Sequence, residues 1–157
     1  MYITTVYSKL TIQQKKKINN FLKNNFDDIN KYIQFELESM TIIILEMLDN
    51  NIIGCVCLYD NTFLIDKLNK NNVPHTYYSL NNSHGCFIYN LCVHKDHRNK
   101  KIGFNLIQYT INKMKELNIE YLHTQATNEI SQTLFLRCGF FDENVFNDDI
   151  HVMSKYL

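Results

Sequence analysis

The run from Tyr89 to Gly103, YNLCVHKDHRNKKIG, holds most of the chemistry that can be read from this chain. An apolar stretch from Cys86 to Val93 (CFIYNLCV) enters it, a polar and basic turn follows, and an amphipathic stretch runs from Ile102 to Leu117. That pattern reads as strand, turn and helix. The first turn of a helix carries unpaired N–H groups and the positive end of the helix dipole, which suits a phosphate. Arg98, Lys100 and Lys101 add positive charge there, and Gly103 removes a side chain where a ligand can come close. On the residues alone two readings stand: an anion site, or an ordinary helix start with a basic face.

Other reactive groups are weaker. Cys92, His94 and His97 offer donors that zinc accepts, but no clear fourth ligand follows, so no metal is expected. Cys55 and Cys57 alternate onto one face of a strand and read as small buried apolar residues. Cys138 precedes Gly139 and has no partner base nearby in sequence. His123 and His151 fall in expected strands and read as structural. Residues 60 to 85 are the least legible part. They hold the one proline, Pro74, and the patch His75-Thr76-Tyr77-Tyr78. A loop of that length is usually functional or ordered by short elements of its own.

The elements that must position these residues follow from composition and periodicity. The chain has 157 residues, 45% of them hydrophobic and 20% charged, which supports one domain with a proper core, 1–157. Sixteen Lys+Arg balance sixteen Asp+Glu, which argues against a nucleic-acid or membrane coat. No apolar run reaches the roughly 18 residues of a membrane span. The first residues have the wrong charge order for a signal peptide. Five cysteines without framework spacing suggest reduced thiols in a cytoplasmic compartment. Abundant Asn, Ile and Lys read as codon bias from an AT-rich genome.

Tyr2 to Tyr7 reads as a strand, Thr11 as an N-cap, and Ile12 to Phe26 as a helix with Ile12, Ile18, Phe21, Leu22 and Phe26 inward. A second helix is expected over Asp28 to Glu38. Met40 to Leu48 and Ile52 to Tyr59 form a hairpin around Asp49-Asn50-Asn51. After the central strand, Ile102 to Leu117 buries Phe104, Leu106, Ile107, Ile111, Met114 and Leu117. Ile119 to Ala126 is a strand, Glu129 to Arg137 a helix, and Gly139 its C-terminal stop. Phe140 to Val145 and His151 to Tyr156 close the fold. The order β-α-α-β-β-β-α-β-α-β-β gives an α+β fold, a mixed and mostly antiparallel sheet with helices on both faces.

The segment VHKDHRNKKIGFNLI resembles the acetyl-CoA-binding segment of the GNAT superfamily of N-acetyltransferases. In that family a strand ending in Val precedes Arg/Gln-x-x-Gly-x-Gly/Ala at the start of a helix. Arg98 stands at the Arg/Gln position and Gly103 at the last glycine, while Lys101 occupies the place of the first glycine. Asn128 with Leu134-Phe135-Leu136-Arg137-Cys138-Gly139-Phe140 resembles the family's Asn followed by Leu-Tyr-x-x-x-Gly-Phe. The segment His151 to Lys155 is similar to its last strand.

The resemblance implies an acetyl-CoA-dependent N-acetyltransferase. Backbone groups of Leu91 and Val93, with Cys92 between, would bond the pantetheine arm. The amides of Arg98, Asn99, Lys100, Lys101, Ile102, Gly103 and Phe104 would cradle the pyrophosphate. Asn128 would reach the pantetheine end, and Phe135 would lie beside the thioester. Lys101 has two readings: a left-handed residue whose ammonium reaches a phosphate, or a slightly opened turn with the side chain in water.

The usual acid–base positions hold no suitable group. Phe87 cannot act as a base, Tyr89 is a candidate catalytic residue but a poor base at pH 7, and Phe135 has no proton to give. Three readings follow. The amine arrives neutral because its own pKa is low, another side chain such as His75, His84, Tyr77 or Tyr78 reaches in, or the chain binds acetyl-CoA and catalyses slowly or not at all. The expected partners are acetyl-CoA and an amine-bearing small molecule or peptide, with no nucleic acid and no membrane. The chain is expected to be a monomer or homodimer.

Overall fold

The computed structural model describes residues 1–26, 37, 39–70, 84–147 and 150–157. The helix expected over Asp28 to Glu38 falls almost wholly outside these residues, as do Pro74, His75, Tyr77 and Tyr78.

The strands are β1 (Tyr2–Val6), β2 (Ile42–Leu48), β3 (Asn51–Asp60), β4 (Gly85–Val93), β5 (Tyr121–Ala126), β6 (Phe141–Asn147) and β7 (Ile150–Tyr156). They form one sheet in the order β1-β2-β3-β4-β5-β7-β6. All pairings are antiparallel except β4 with β5. The α-helices are α1 (Ile12–Asn25), α2 (Asn61–Lys70), α3 (Ile102–Glu116) and α4 (Glu129–Arg137). This is the α+β, mostly antiparallel architecture expected from the sequence, with one addition. Helix α2 occupies the start of the stretch read as a loop. The Asp60 carboxylate accepts from the Thr62 N–H at 2.8 Å and so serves the first turn of α2.

Side-chain alternation divides the core between two faces. Val56, Leu58, Cys86, Ile88 and Leu122 pack under Ile102, Leu106, Ile107 and Met114 of α3 and Phe135 of α4. On the other face Cys55, Cys57 and Cys92 lie with Ile18, Phe21 and Leu22 of α1. Tyr59 and Phe87 lie with Leu64 of α2, flanked by Phe63 and Tyr89. All five cysteines are buried.

Two inward assignments are corrected. Ile12 is 74% exposed and Leu117 is 50% exposed, because each stands at a helix end beyond the sheet's reach. Thr11 caps α1 through a capping box with Gln14. Among the described residues, no helix is long and apolar enough to cross a membrane.

Candidate active site

The central feature is a parallel pair that stops early. β4 and β5 pair from Gly85–Tyr121 to Ile88–Thr124, and the pairing goes no further. The Thr124 hydroxyl donates to the Ile88 carbonyl at 2.9 Å at that last rung. Just beyond it β4 carries a bulge. Cys57 faces Asn90 and Leu58 faces Ile88, so Tyr89 is the extra residue.

The N–H of His94 donates to the Ile53 carbonyl on the β3 side. Backbone alternation therefore turns the N–H and C=O of Leu91 and Val93 toward the open side. An extended ligand can add to such an edge as a strand. Cys92 contributes its side chain to the opposite face, where it is 4% exposed beneath α1.

The open edge leads to the N-terminus of α3. Lys101 is the N-cap and offers no side-chain bond to the helix. The first bond in the helical direction is Asn105 N–H to the Lys101 carbonyl at 2.9 Å. The N–H groups of Ile102, Gly103 and Phe104 therefore lack helical acceptors. Asn99 and Lys101 are both left-handed, each with φ of 61°. The angle is the left-handed one of the first reading of Lys101, while its side chain is exposed as in the second.

Two of the three residues expected to serve an anion with their side chains, Arg98 and Lys100, are otherwise used. The Arg98 Nη2 donates to the Asn25 carbonyl at 2.5 Å, and its Nε to the Val93 carbonyl at 3.4 Å. Lys100 donates to the Asp96 carbonyl at 3.0 Å. Gly103 has a structural reason as well, since a Cβ there would lie 3.3 Å from Leu134 Cδ2 and 3.7 Å from Val93 Cγ2. The glycine lets α3 meet α4 and β4. Ile102 is core, at 8% exposure, and Phe104 is half-buried against it. What this segment presents to an anion is its backbone amides.

Helix α4 is fixed at both ends. Asn128 Oδ1 accepts from the Ser131 N–H at 2.9 Å, in a capping box, so that oxygen serves the helix. Gly139 is left-handed at φ 81°, and the N–H groups of Gly139 and Phe140 donate to Leu136 and Phe135 carbonyls at 2.9 and 3.0 Å. That is a Schellman stop. Phe135 is 3% exposed and packs edge-on against Phe140. Burial pushes the Cys138 thiol up from its ordinary value.

On the α1/α2 face the bulge places Tyr89 and Asn90 side by side. The Tyr89 ring is 4.9 Å from Tyr59 and 6.3 Å from Phe87. Phe87 is buried and packs at 5.0 Å, with its ring tilted, against His123, its register partner on β5. His123 Nε2 lies 2.6 Å from Asn61 Oδ1, which makes Nε2 the protonated nitrogen. Its Nδ1 is buried without a partner among the described residues. Burial lowers the His123 pKa to about 4, with Glu143 opposing that shift. His123 thus reads as a neutral structural imidazole.

Asn90 is the residue that the sequence reading passes over. It is 2% exposed, and among the described residues neither its Nδ2 nor its Oδ1 has a hydrogen-bond partner. The signal in the sequence is a lone carboxamide inside the apolar run CFIYNLCV.

A second polar group lies at the carboxyl end of β5. His151 faces Ala126 across β7, and its Nδ1 donates to Asp142 Oδ2 at 2.6 Å. Gln132 of α4 donates to the same oxygen at 3.1 Å. Among the described residues no cluster of three or more His, Cys, Asp or Glu can hold a metal.

No curated protein is a significant match to the chain by sequence. The likeness in fold is extensive. An acyl-CoA N-acyltransferase from Pseudomonas aeruginosa superposes with a TM-score of 0.72 at 12% identity, over 99% of this chain and 98% of that one. The Drosophila melanogaster polyamine N-acetyltransferase gives 0.68 at 10% identity, over all of both chains. The PaiA N-acetyltransferase from Thermoplasma acidophilum, in complex with coenzyme A, gives 0.64 at 14% identity, over 100% of this chain and 99% of that one. The family model for the acetyltransferase (GNAT) family matches residues 10–140. An early-ending parallel pair, a bulged central strand and an uncapped helix start thus coincide with a family match over most of the sequence, and the chain belongs to the GNAT acetyltransferase family.

Proposed function

We propose that this chain, acting as one catalytic domain, moves an acetyl group from acetyl-CoA directly to a primary amine. The observation that carries the reading is the continuity of the β4 edge at Leu91 and Val93, which β5 leaves unpaired, with the uncapped start of α3. The pantetheine arm adds to that edge as a short strand. The amides of residues 98 to 104 take the pyrophosphate at the positive end of α3. Lys101 adds an exposed ammonium beside it. Arg98 acts one step away, by tying the turn to α1. Asn128 acts by fixing the start of α4, and Phe135 by packing it.

In this placement the thioester reaches the bulge at Tyr89. The amine nitrogen attacks the thioester carbonyl carbon from the α1/α2 face. A C–N bond forms, the C–S bond breaks, and CoA leaves as the thiolate. The surplus amine proton passes to water or to the thiolate. Neither Phe87 nor Phe135 can carry it, and general acid–base help is typically worth about 10²–10⁴-fold. Proximity can supply as much or more.

The test is CoA release from acetyl-CoA with a panel of amines and peptides, with the product identified by mass. Amine-dependent release with a mass gain of one acetyl supports the reading. The burial of Phe87 and Phe135 favours a second reading, an acyl-CoA-binding module without turnover. Binding of acetyl-CoA without transfer to any amine would select it.

A further inference from the structure

Among the described residues, nothing hydrogen-bonds the Asn90 side chain. Both polar atoms of its carboxamide are buried and lack a partner among these residues, at a position where an apolar residue of similar size would avoid that cost. Asn90 is the register partner of Cys57, so it faces the α1/α2 side. It stands where the thiol cluster beneath α1 gives way to the aromatic cluster beneath α2. It also neighbours Leu91, where the open edge of β4 begins. A carboxamide offers a donor and an acceptor side by side. A peptide group, with its own N–H and C=O, can satisfy both.

The same face provides no carboxylate at Phe87, Tyr89 or Asn90 to deprotonate an amine. An ε-amine with pKa near 10.4 is neutral in about one molecule in 2500 at pH 7, and an α-amine near 8 in about one in ten. The α-amine of a peptide arrives ready to attack, and it carries an amide one carbon away.

We infer that the acceptor is the free α-amine of a peptide, and that Asn90 holds it by pairing with its first peptide group. This rests on the proposed placement of acetyl-CoA. The nitrogen attacks the thioester carbonyl, the C–N bond forms as the C–S bond breaks, and the proton leaves to water or thiolate. Asn90 moves no proton and serves as a positioning residue.

The test compares trialaninamide, which has only an α-amine, with Nα-acetyl-lysine methylamide, which has only an ε-amine. The intact protein is expected to prefer trialaninamide by about tenfold or more in kcat/KM. Asn90→Leu is expected to raise KM for trialaninamide about tenfold, with acetyl-CoA affinity unchanged and thermal stability equal or higher. Asn90→Ala gives the same kinetic answer if the leucine variant does not fold. Unchanged KM in a folded variant, or preference for the lysine derivative, overturns the inference. So does acetyl-CoA binding without transfer to trialaninamide, which leaves the cofactor placement standing. Failure of the wild-type protein to bind acetyl-CoA removes that placement and this inference together.

Discussion

The guanidinium of Arg98 donates to the carbonyl of Asn25 at 2.5 Å, joining the turn before α3 to the last residue of α1. Asn25 answers from its side chain, where Oδ1 accepts from the Lys95 N–H at 3.0 Å. The turn that carries the proposed phosphate amides is therefore held from beneath. Arg98→Ala should lower stability by about 2 kcal/mol, since charged hydrogen bonds are lost from a partly buried position. Acetyl-CoA affinity should fall as well, through the loosened turn. Thermal unfolding and calorimetry of the variant check both effects.

Lys101 holds a conformation that suits glycine, with φ of 61° and ψ of 9°. Lys101→Gly should relieve about 1–2 kcal/mol of left-handed strain and raise Tm by about 3–6 °C. It should also weaken acetyl-CoA binding by about two- to fivefold at low salt, with the difference shrinking as salt rises. A variant that binds as well as wild type at every salt concentration would show that the ammonium has no part in binding.

Gly103 separates two demands on one position. Gly103→Ala places a methyl 3.3 Å from Leu134 Cδ2, the end of a flexible side chain. It should fold with a loss of about 1 kcal/mol and keep acetyl-CoA binding. Gly103→Glu should fold less well and abolish binding, because a side chain and a negative charge meet the phosphates. Calorimetric titration of both variants tests this, and wild-type affinity in Gly103→Glu would contradict the placement.

His123 should make stability fall in acid. Its pKa is lowered from 6.5 to about 4 by burial, so the unfolded chain binds a proton that the folded chain refuses. The contribution is fully present above pH 6.5 and is lost as the pH falls toward 4, to a total of about 3 kcal/mol. Carboxylates titrate in the lower part of that window, so the comparison is with His123→Gln. The variant should lose less stability than wild type between pH 6.5 and 4. Identical pH profiles would show that the imidazole is not the group responsible.

Much of this fold can be read in the sequence because local and tertiary preferences agree. Glu129 to Arg137 is helical as expected, since Asn128 caps one end and Gly139 stops the other. Helix α2 is the clear omission. Its opening Asp60-Asn61-Thr62 looks like turn chemistry, and the helix is made by packing Leu64 and Phe63 on Tyr59 and Phe87, which pattern alone does not reveal. The site shows the same division. The strand, turn and helix at 86 to 117 and the odd residue at 101 are visible in the sequence. That Arg98 reaches Asn25, 73 residues away in sequence, is not. Nor is the bulge that turns Tyr89 and Asn90 onto one face, because it depends on register with Cys57 and Leu58.

The most direct test of the whole account is thermal unfolding of the protein with and without acetyl-CoA. A ligand at 100 times its Kd adds about 2.7 kcal/mol to the folded state, which is a rise of several degrees in Tm for a chain of this size. Wild type should show that rise, and Gly103→Glu should lose it. An unchanged Tm at millimolar acetyl-CoA would mean that the open edge of β4 and the start of α3 do not form the cofactor site.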